Sequence, residues 1–281
     1  MRAAVVQINS GADRARNIET AGDLVRAAAG DGAALVVLPE KWSLLGDGRA
    51  LAEGAEGLEG EAVTAAREWA STLDIHLLAG SFTESSGDGL PTNTSILISP
   101  GGEILSTYRK LHMFDVEAGG VEYRESDHER AGDEIAPLVR LLQPDGNAEL
   151  AVGLTICYDL RFPELFRVLL DRGATLFTVP AAFTAATGRD HWEPLLRARA
   201  IENQSFVLAA NQTGPAEPSY DSWGHSMIIG PWGEVLAQVE DGEGFATADL
   251  DLDHLAEVRR KLPAVEHRRI EIFKEGTLHG S

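Results

Sequence analysis

Short runs of Val, Ile and Leu alternate with stretches of helical period along most of the chain, the pattern of an α/β protein. Residues 3–8 (AAVVQI) read as a strand, after which Ile18, Ala21, Leu24, Val25 and Ala28 fall on one helical face that stops at Gly30 and Gly32. A second strand, 34–40 (ALVVLPE), runs into Pro39, and a helix over 60–73 places Val63, Ala66, Trp69, Ala70 and Leu73 together. Strands follow at 75–82, 93–100 and 102–110, the last two joined by Pro100-Gly101-Gly102 as an antiparallel hairpin. A polar loop fills 112–134.

Residues 150–156 (LAVGLTI) are almost continuously apolar, as expected of a strand covered on both faces. Pro163 then opens a helix that ends at Gly173, with Leu165, Phe166, Leu169 and Leu170 on one side. The same rhythm returns with a strand at 175–183, a helix at 190–204 and a strand at 205–211. A hairpin over 225–239 turns at Pro231-Trp232-Gly233, and a strand at 244–252 and a helix at 253–262 precede a charged tail from about 264 to 281. The turns SPGGEIL and GPWGEVL repeat one strand-turn-strand pattern, which points to mixed sheets packed as a sandwich. No low-complexity linker divides residues 1–281, so one domain is expected.

Composition narrows the partners. With 24 basic against 44 acidic residues the formal net charge is −20, which repels phosphate backbones and leaves no basic stripe for nucleic acid. No run reaches the ~18–20 apolar residues of a membrane span. A single Cys excludes an internal disulfide, and with no secretory signal at Met1 a cytoplasmic location is expected, so the Asn-x-Ser/Thr matches at Asn93, Asn203 and Asn211 are chance. Only four basic residues are Lys: Lys41, Lys110, Lys261 and Lys274.

Familiar chemistries lack their motifs. The chain has no G-x-G-x-x-G behind a strand, no G-x-x-x-x-G-K-[ST], no G-x-S-x-G and no H-E-x-x-H, and one Cys cannot build a thiolate cage for zinc. What remains is Cys157, between a buried strand and a helix, at the sheet edge where α/β proteins open their crevices. The dipole of a following helix would favour its thiolate. Strand ends also hold ordinary buried Cys, so this position alone leaves packing and catalysis both open. Glu40 and Lys110 each end another strand, a carboxylate able to act as a base and an ammonium able to face an oxyanion. Either one alone reads as a surface residue; three complementary groups at three strand ends read as a site.

The blocks VVLPEKW (36–42), YRKLHMFD (108–115) and GLTICYDLRFPELFR (153–167) resemble those of the nitrilase superfamily of carbon-nitrogen hydrolases. So do HWEPLLRARAIENQSFVLAANQTG (191–214) and WGHSMIIGPWGEVLA (223–237), and the likeness extends from Met1 to about Arg269. The resemblance implies a four-layer α-β-β-α sandwich that forms a homodimer or larger homo-oligomer. It implies a Glu-Lys-Cys triad of Glu40 as general base, Lys110 on the oxyanion and Cys157 as nucleophile, acting without metal or organic cofactor. Glu125 matches a further family Glu in the loop after the Lys, and the Tyr158 amide is a second oxyanion donor. The blocks around Cys157 are most similar to the ω-amidase and deaminated glutathione amidase branch, whose substrates carry a carboxylate. Arg161, His191 and Arg197 are candidates to bind it, each with a structural alternative: a pairing of Arg161 with a nearby acid, and a packing or dimer contact for the other two. An N-carbamoyl amino acid amidohydrolase, an aliphatic nitrilase and a non-catalytic binding protein that kept the fold are the alternative readings.

Overall fold

A computed structural model describes the whole chain except residues 88, 143–145, 147–148, 217–219 and 275–281. The first half runs β1 (Arg2–Gln7), α1 (Arg14–Gly30), β2 (Leu35–Val37), α2 (Gly48–Glu53), α3 (Glu61–Leu73), β3 (His76–Leu78), β4 (Phe82–Glu84), β5 (Thr92–Ile98) and β6 (Ile104–Arg109). A small hairpin follows, β7 (Asp115–Ala118) and β8 (Val121–Arg124). The second half runs β9 (Val139–Leu142), β10 (Glu149–Leu154), α4 (Pro163–Asp171), β11 (Leu176–Thr178), α5 (Ala185–Asn203) and β12 (Phe206–Ala209). It continues with β13 (Thr213–Ala216), β14 (Tyr220–Trp223), β15 (Met227–Ile229), β16 (Val235–Gln238), β17 (Gly244–Asp249), α6 (Leu252–Lys261) and α7 (Ile270–Lys274).

Two mixed sheets form, one ordered β17-β1-β2-β3-β5-β4 with β6 on β5, the other β16-β15-β12-β11-β10-β9. Both expected hairpins are antiparallel pairs, β5 with β6 and β15 with β16. The period of two in a strand separates the layers. Ala3 and Val5 of β1, with Leu35 and Val37 of β2, join one buried cluster with Val152, Phe177, Val207 and Ile228 of the other sheet. Their neighbours Ala4, Val6 and Val36 instead pack with Ala21, Val25 and Ala28 of α1 and Val63, Ala66 and Ala70 of α3. On the second sheet, α4 and α5 add Leu165, Phe166, Trp192 and Leu196. The architecture is the α-β-β-α sandwich.

Several boundaries differ from the periodic reading. The apolar stretch 75–82 breaks into β3 and the start of β4 because Gly80 turns the backbone left-handed, with φ +44°. The polar loop 112–134 contains the β7–β8 hairpin, whose four-residue strands are too short and charged to register as periodic. Helix α5 starts at Ala185, five residues before the expected 190, and carries Pro194 inside it. Part of the expected charged tail forms α7, and residues 275–281 lie outside the described residues. Among the described residues no helix is long and apolar enough to cross a membrane.

Candidate active site

Glu40 follows β2 by three residues in a turn held from several sides. Its own carbonyl accepts from Gln212 Nε2 at 2.9 Å, the Ser81 amide donates to Pro39 O, and Lys41 N donates to Ser81 Oγ. Gly80 sits behind this turn, where a Cβ would lie 1.9 Å from Pro39 O, so a glycine is required. The Glu40 side chain, 3% exposed, accepts at Oε1 from Asn93 Nδ2 (2.7 Å) and Lys110 Nζ (3.0 Å), and at Oε2 from the Ala182 amide (2.7 Å).

Lys110 leaves the end of β6, and its ammonium lies between two carboxylates. It donates to Glu40 and to both oxygens of Glu125 at 2.9 Å. Burial opposes its charge, but Glu125 and Glu40 more than offset that, so its pKa is raised well above the ordinary lysine value. Glu125 also accepts from the Phe114 amide at 2.7 Å. Burial works against its charge too, and Lys110 and then Lys41 overcome it, lowering its pKa to about 2.

Cys157 opens a 3-10 turn, Cys157–Arg161, with φ +43°, a backbone conformation rare outside glycine that clusters at functional sites. Its amide donates to Pro180 O at 2.9 Å, and its thiol is within hydrogen-bonding reach of the Glu40 carboxylate and the Ala182 amide. The expected helix-dipole activation of a thiolate is not what the structure gives. Burial, then the Glu40 charge, pushes the thiol pKa well above its ordinary value, and Lys110 only partly offsets them. The physical reasons are burial of the thiol beside the Glu40 carboxylate and the five-residue turn that separates Cys157 from α4, which starts at Pro163 as expected. The resting group is a neutral thiol beside a carboxylate.

Asp159 joins the two sheets at this point. Fully buried, it accepts from Tyr108 Oη and the Ile156 amide at Oδ2 (2.7 and 2.8 Å), while Oδ1 lies 2.7 Å from His112 Nδ1. Burial, then Asp159, pushes the Tyr108 phenol pKa up, so it remains a donor. Tyr108 and His112 flank Lys110 by two residues on either side, and Ile156 precedes Cys157, so one carboxylate fixes both segments.

Glu40, Lys110, Glu125, Cys157 and Tyr158 all line one cavity of about 350 Å³, which Phe183 and Thr184 also border. Arg161 and His191 are not in its wall. Arg161 Nη1 is 3.2 Å from His191 Nδ1, and the guanidinium lies over the rings of Tyr158 and Phe183. Arg197 is exposed and bonds Gly233 O. Among the described residues no cluster of three His, Cys, Asp or Glu is placed to hold a metal ion. The periodic reading missed Asn93, Lys41 and Glu129. Asn93 looked like a glycosylation match, yet Asn93, Asn203 and Asn211 are all sealed inside the protein. The scarcity of Lys in an Arg-rich chain was the one signal that singled out Lys41.

A buried thiol, a carboxylate able to take its proton and an ammonium beside them define an enzyme that attacks an electrophilic carbon through sulfur. The carbon-nitrogen hydrolase family model matches residues 2–260, and the chain belongs to that family, on the amidase branch of the nitrilase superfamily. It is 40% identical over 269 residues to a deaminated glutathione amidase of Synechocystis, covering 95% of this chain and 97% of that protein. It is 37% identical over 273 residues to the omega-amidase NIT2 of Danio rerio, covering 97% and 96%. The NitFhit protein of C. elegans, a solved structure, superposes with a TM-score of 0.86 at 37% identity, covering 96% of this chain and 65% of that one. The chain likewise spans only 58% of the Drosophila melanogaster nitrilase and fragile histidine triad fusion protein, to which it is 42% identical.

Proposed function

We propose that the protein hydrolyses the terminal amide of a small carboxylate-bearing molecule, with deaminated glutathione or the ω-amide of an α-keto acid as the best candidates. The observation that carries this reading is the meeting of the Cys157 thiol, Glu40 and Lys110 in the wall of one cavity. Because the thiol rests neutral, Glu40 takes its proton as sulfur attacks the carbonyl carbon, and the C–O π bond pair moves onto oxygen. Lys110 and the Tyr158 amide hold that oxyanion. Ammonia leaves with the proton returned by Glu40, giving a thioester on Cys157. Water, deprotonated by Glu40, attacks the thioester; the acid departs and the thiol is restored. Glu125 keeps Lys110 in place. The thiol, carboxylate and ammonium complete this cycle with no metal or organic cofactor.

Arg161 is the candidate for the substrate carboxylate. Its guanidinium packs on two rings of the cavity wall, and among the described residues no carboxylate lies within ion-pairing distance of it. Its neighbour His191 is assigned to the same end. We further assign the protein to the cytoplasm and to a homodimer or larger homo-oligomer, read by fractionation and light scattering.

Ammonia release from a panel of amides, nitriles and N-carbamoyl compounds tests the reading, with the mass of the acyl adduct on Cys157 followed alongside. The expected result is release from α-ketoglutaramate or deaminated glutathione, abolished in Cys157→Ala and far weaker in Cys157→Ser. Arg161→Leu should raise KM for the anionic amides more than for a neutral one. Carbon dioxide released with the ammonia would indicate an N-carbamoyl amidohydrolase, and turnover of nitriles alone a nitrilase. Silence across the panel would indicate a binding protein, and full activity in Cys157→Ala would overturn the mechanism.

A further inference from the structure

Beside Glu125 lies a second buried pair, Lys41 and Glu129, that the proposed mechanism does not use. Lys41 follows Glu40 directly and is itself left-handed, with φ +52°. Its ammonium is 2.9 Å from Glu129 Oε2 and 4.0 Å from Glu125 Oε1, with side-chain exposures of 9% and 1% for Lys41 and Glu129. Thr83 Oγ1 donates to the other Glu129 oxygen at 3.3 Å. Charges therefore alternate along one line: Glu40, Lys110, Glu125, Lys41, Glu129. Remove Lys41, and three buried carboxylates, Glu40, Glu125 and Glu129, are left with the single ammonium of Lys110, so that Glu129 takes up a proton and Glu125 loses one of its two counterions.

We infer that Lys41 is a positioning residue: it keeps Glu125 ionised and turned toward Lys110, so that Lys110 stays at the oxyanion, with Glu129 as the rear counterion that orients Lys41. This rests on the roles given above to Glu40, Lys110 and Cys157. Two strained backbones support it, since a non-glycine left-handed conformation costs on the order of 1–3 kcal/mol and is retained here at both Lys41 and Cys157. The titration behaviour agrees. Glu129 is raised above its ordinary value by burial and then by Glu125, against the pull of Lys41, whereas Glu125 is lowered. The 2.9 Å contact establishes Glu129 as the main partner of Lys41, and Glu125, 4.0 Å away, is the carboxylate that draws on both Lys110 and Lys41. Among the described residues, the other charged or titratable groups on the cavity wall are Cys157, Asp47, His128, Tyr123 and Tyr158, with the Glu122–Arg124 pair on the hairpin.

The test is the pH profile of kcat and kcat/KM for ammonia release from an amide the wild type turns over, in Lys41→Met, Glu129→Gln and Lys41→Arg. Met is unbranched, lacks only the terminal ammonium position and makes the same backbone demand. Loss of an ammonium 4.0 Å away raises the Glu125 pKa, so in Lys41→Met the acid limb moves up by about one pH unit or more. Displacement of Lys110 lowers its kcat about ten- to hundredfold. In Glu129→Gln the limb moves down, because a buried like charge is gone and Lys41 then has Glu125 as its nearest carboxylate, and Lys41→Arg keeps the limb near wild type. A pair that merely held the fold would lower melting temperatures and leave the limb in place, so unshifted profiles, or an upward shift in both Lys41→Met and Glu129→Gln, overturn the inference. If Lys41→Met does not melt cooperatively, the direction of the limb in Glu129→Gln decides alone. A wild type that releases no ammonia overturns the underlying reading instead, which separates the two failures.

Discussion

The two sheets bring their parts of the site to the cavity by different means. The second sheet delivers Cys157 through backbone: a left-handed residue, an amide bond to Pro180 O and the neighbouring Ala182 amide. The first sheet delivers Glu40 and Lys110, and the turn after the β7–β8 hairpin delivers Glu125, as buried charges each held by the opposite charge beside it. Backbone geometry is indifferent to pH, whereas a line of alternating charges fails when one member is neutralised or removed. The Cys157 thiol is thus fixed in place by backbone, and the charges beside it govern when its proton leaves. Asp159 stitches the halves together.

The strongest way to break this contrast is to change the charged half without changing its charge. Lys110 is 2% exposed, and its ammonium fits between Glu40 at 3.0 Å and Glu125 at 2.9 Å. The longer, planar guanidinium of Arg cannot occupy that point, so Lys110→Arg is expected to lower kcat about a hundredfold or more. Steady-state kinetics on the preferred amide reads this. Activity within a few-fold of wild type would mean that position 110 needs only a positive charge, not an ammonium at one point.

The same contrast explains what the sequence disclosed. The strands β1 and β10 were legible as nearly continuous apolar runs and the helices α3 and α4 by their 3.6-residue period, because burial on both faces of a strand or one face of a helix selects the residues themselves. Glu40, Lys110 and Cys157 were legible as polar groups where apolar strands stop. Glu129 was not, because its partner Lys41 lies 88 residues earlier in a different turn. The chance nature of the glycosylation match at Asn93 was legible, but its place beside Glu40 was not, because only tertiary packing turns its amide there. The state of the Cys157 thiol was also hidden, because it depends on burial and on the Glu40 charge rather than on the local turn.

An intermediate effect is expected at the stitch. Asp159 accepts from Tyr108, the Ile156 amide and His112, and Asn at this position must turn an NH2 group toward one of those donors. Asp159→Asn should cost about 1–3 kcal/mol of stability, seen as a melting temperature lower by several degrees. It should lower kcat about tenfold, because both reacting segments shift together. A lower melting temperature with unchanged kcat would show that each half holds its own geometry without the stitch.

The smallest effect belongs to a charge outside both halves. Arg197 lies on the exposed face of α5, where Nε donates to Gly233 O at 2.8 Å and Nη1 pairs with Glu193 one turn earlier at 3.2 Å. An exposed i,i+4 pair contributes only about 0.3–0.5 kcal/mol, because water screens both charges and two flexible side chains must be held still. Arg197→Ala should therefore change stability by about half a kcal/mol and leave kcat and KM within about twofold. Thermal melting and steady-state kinetics on anionic and neutral amides check this. A KM raised only for the anionic amides would extend the substrate site from the cavity onto the outer helix, and the division between a charge-sensitive interior and an inert exterior would fail at that point.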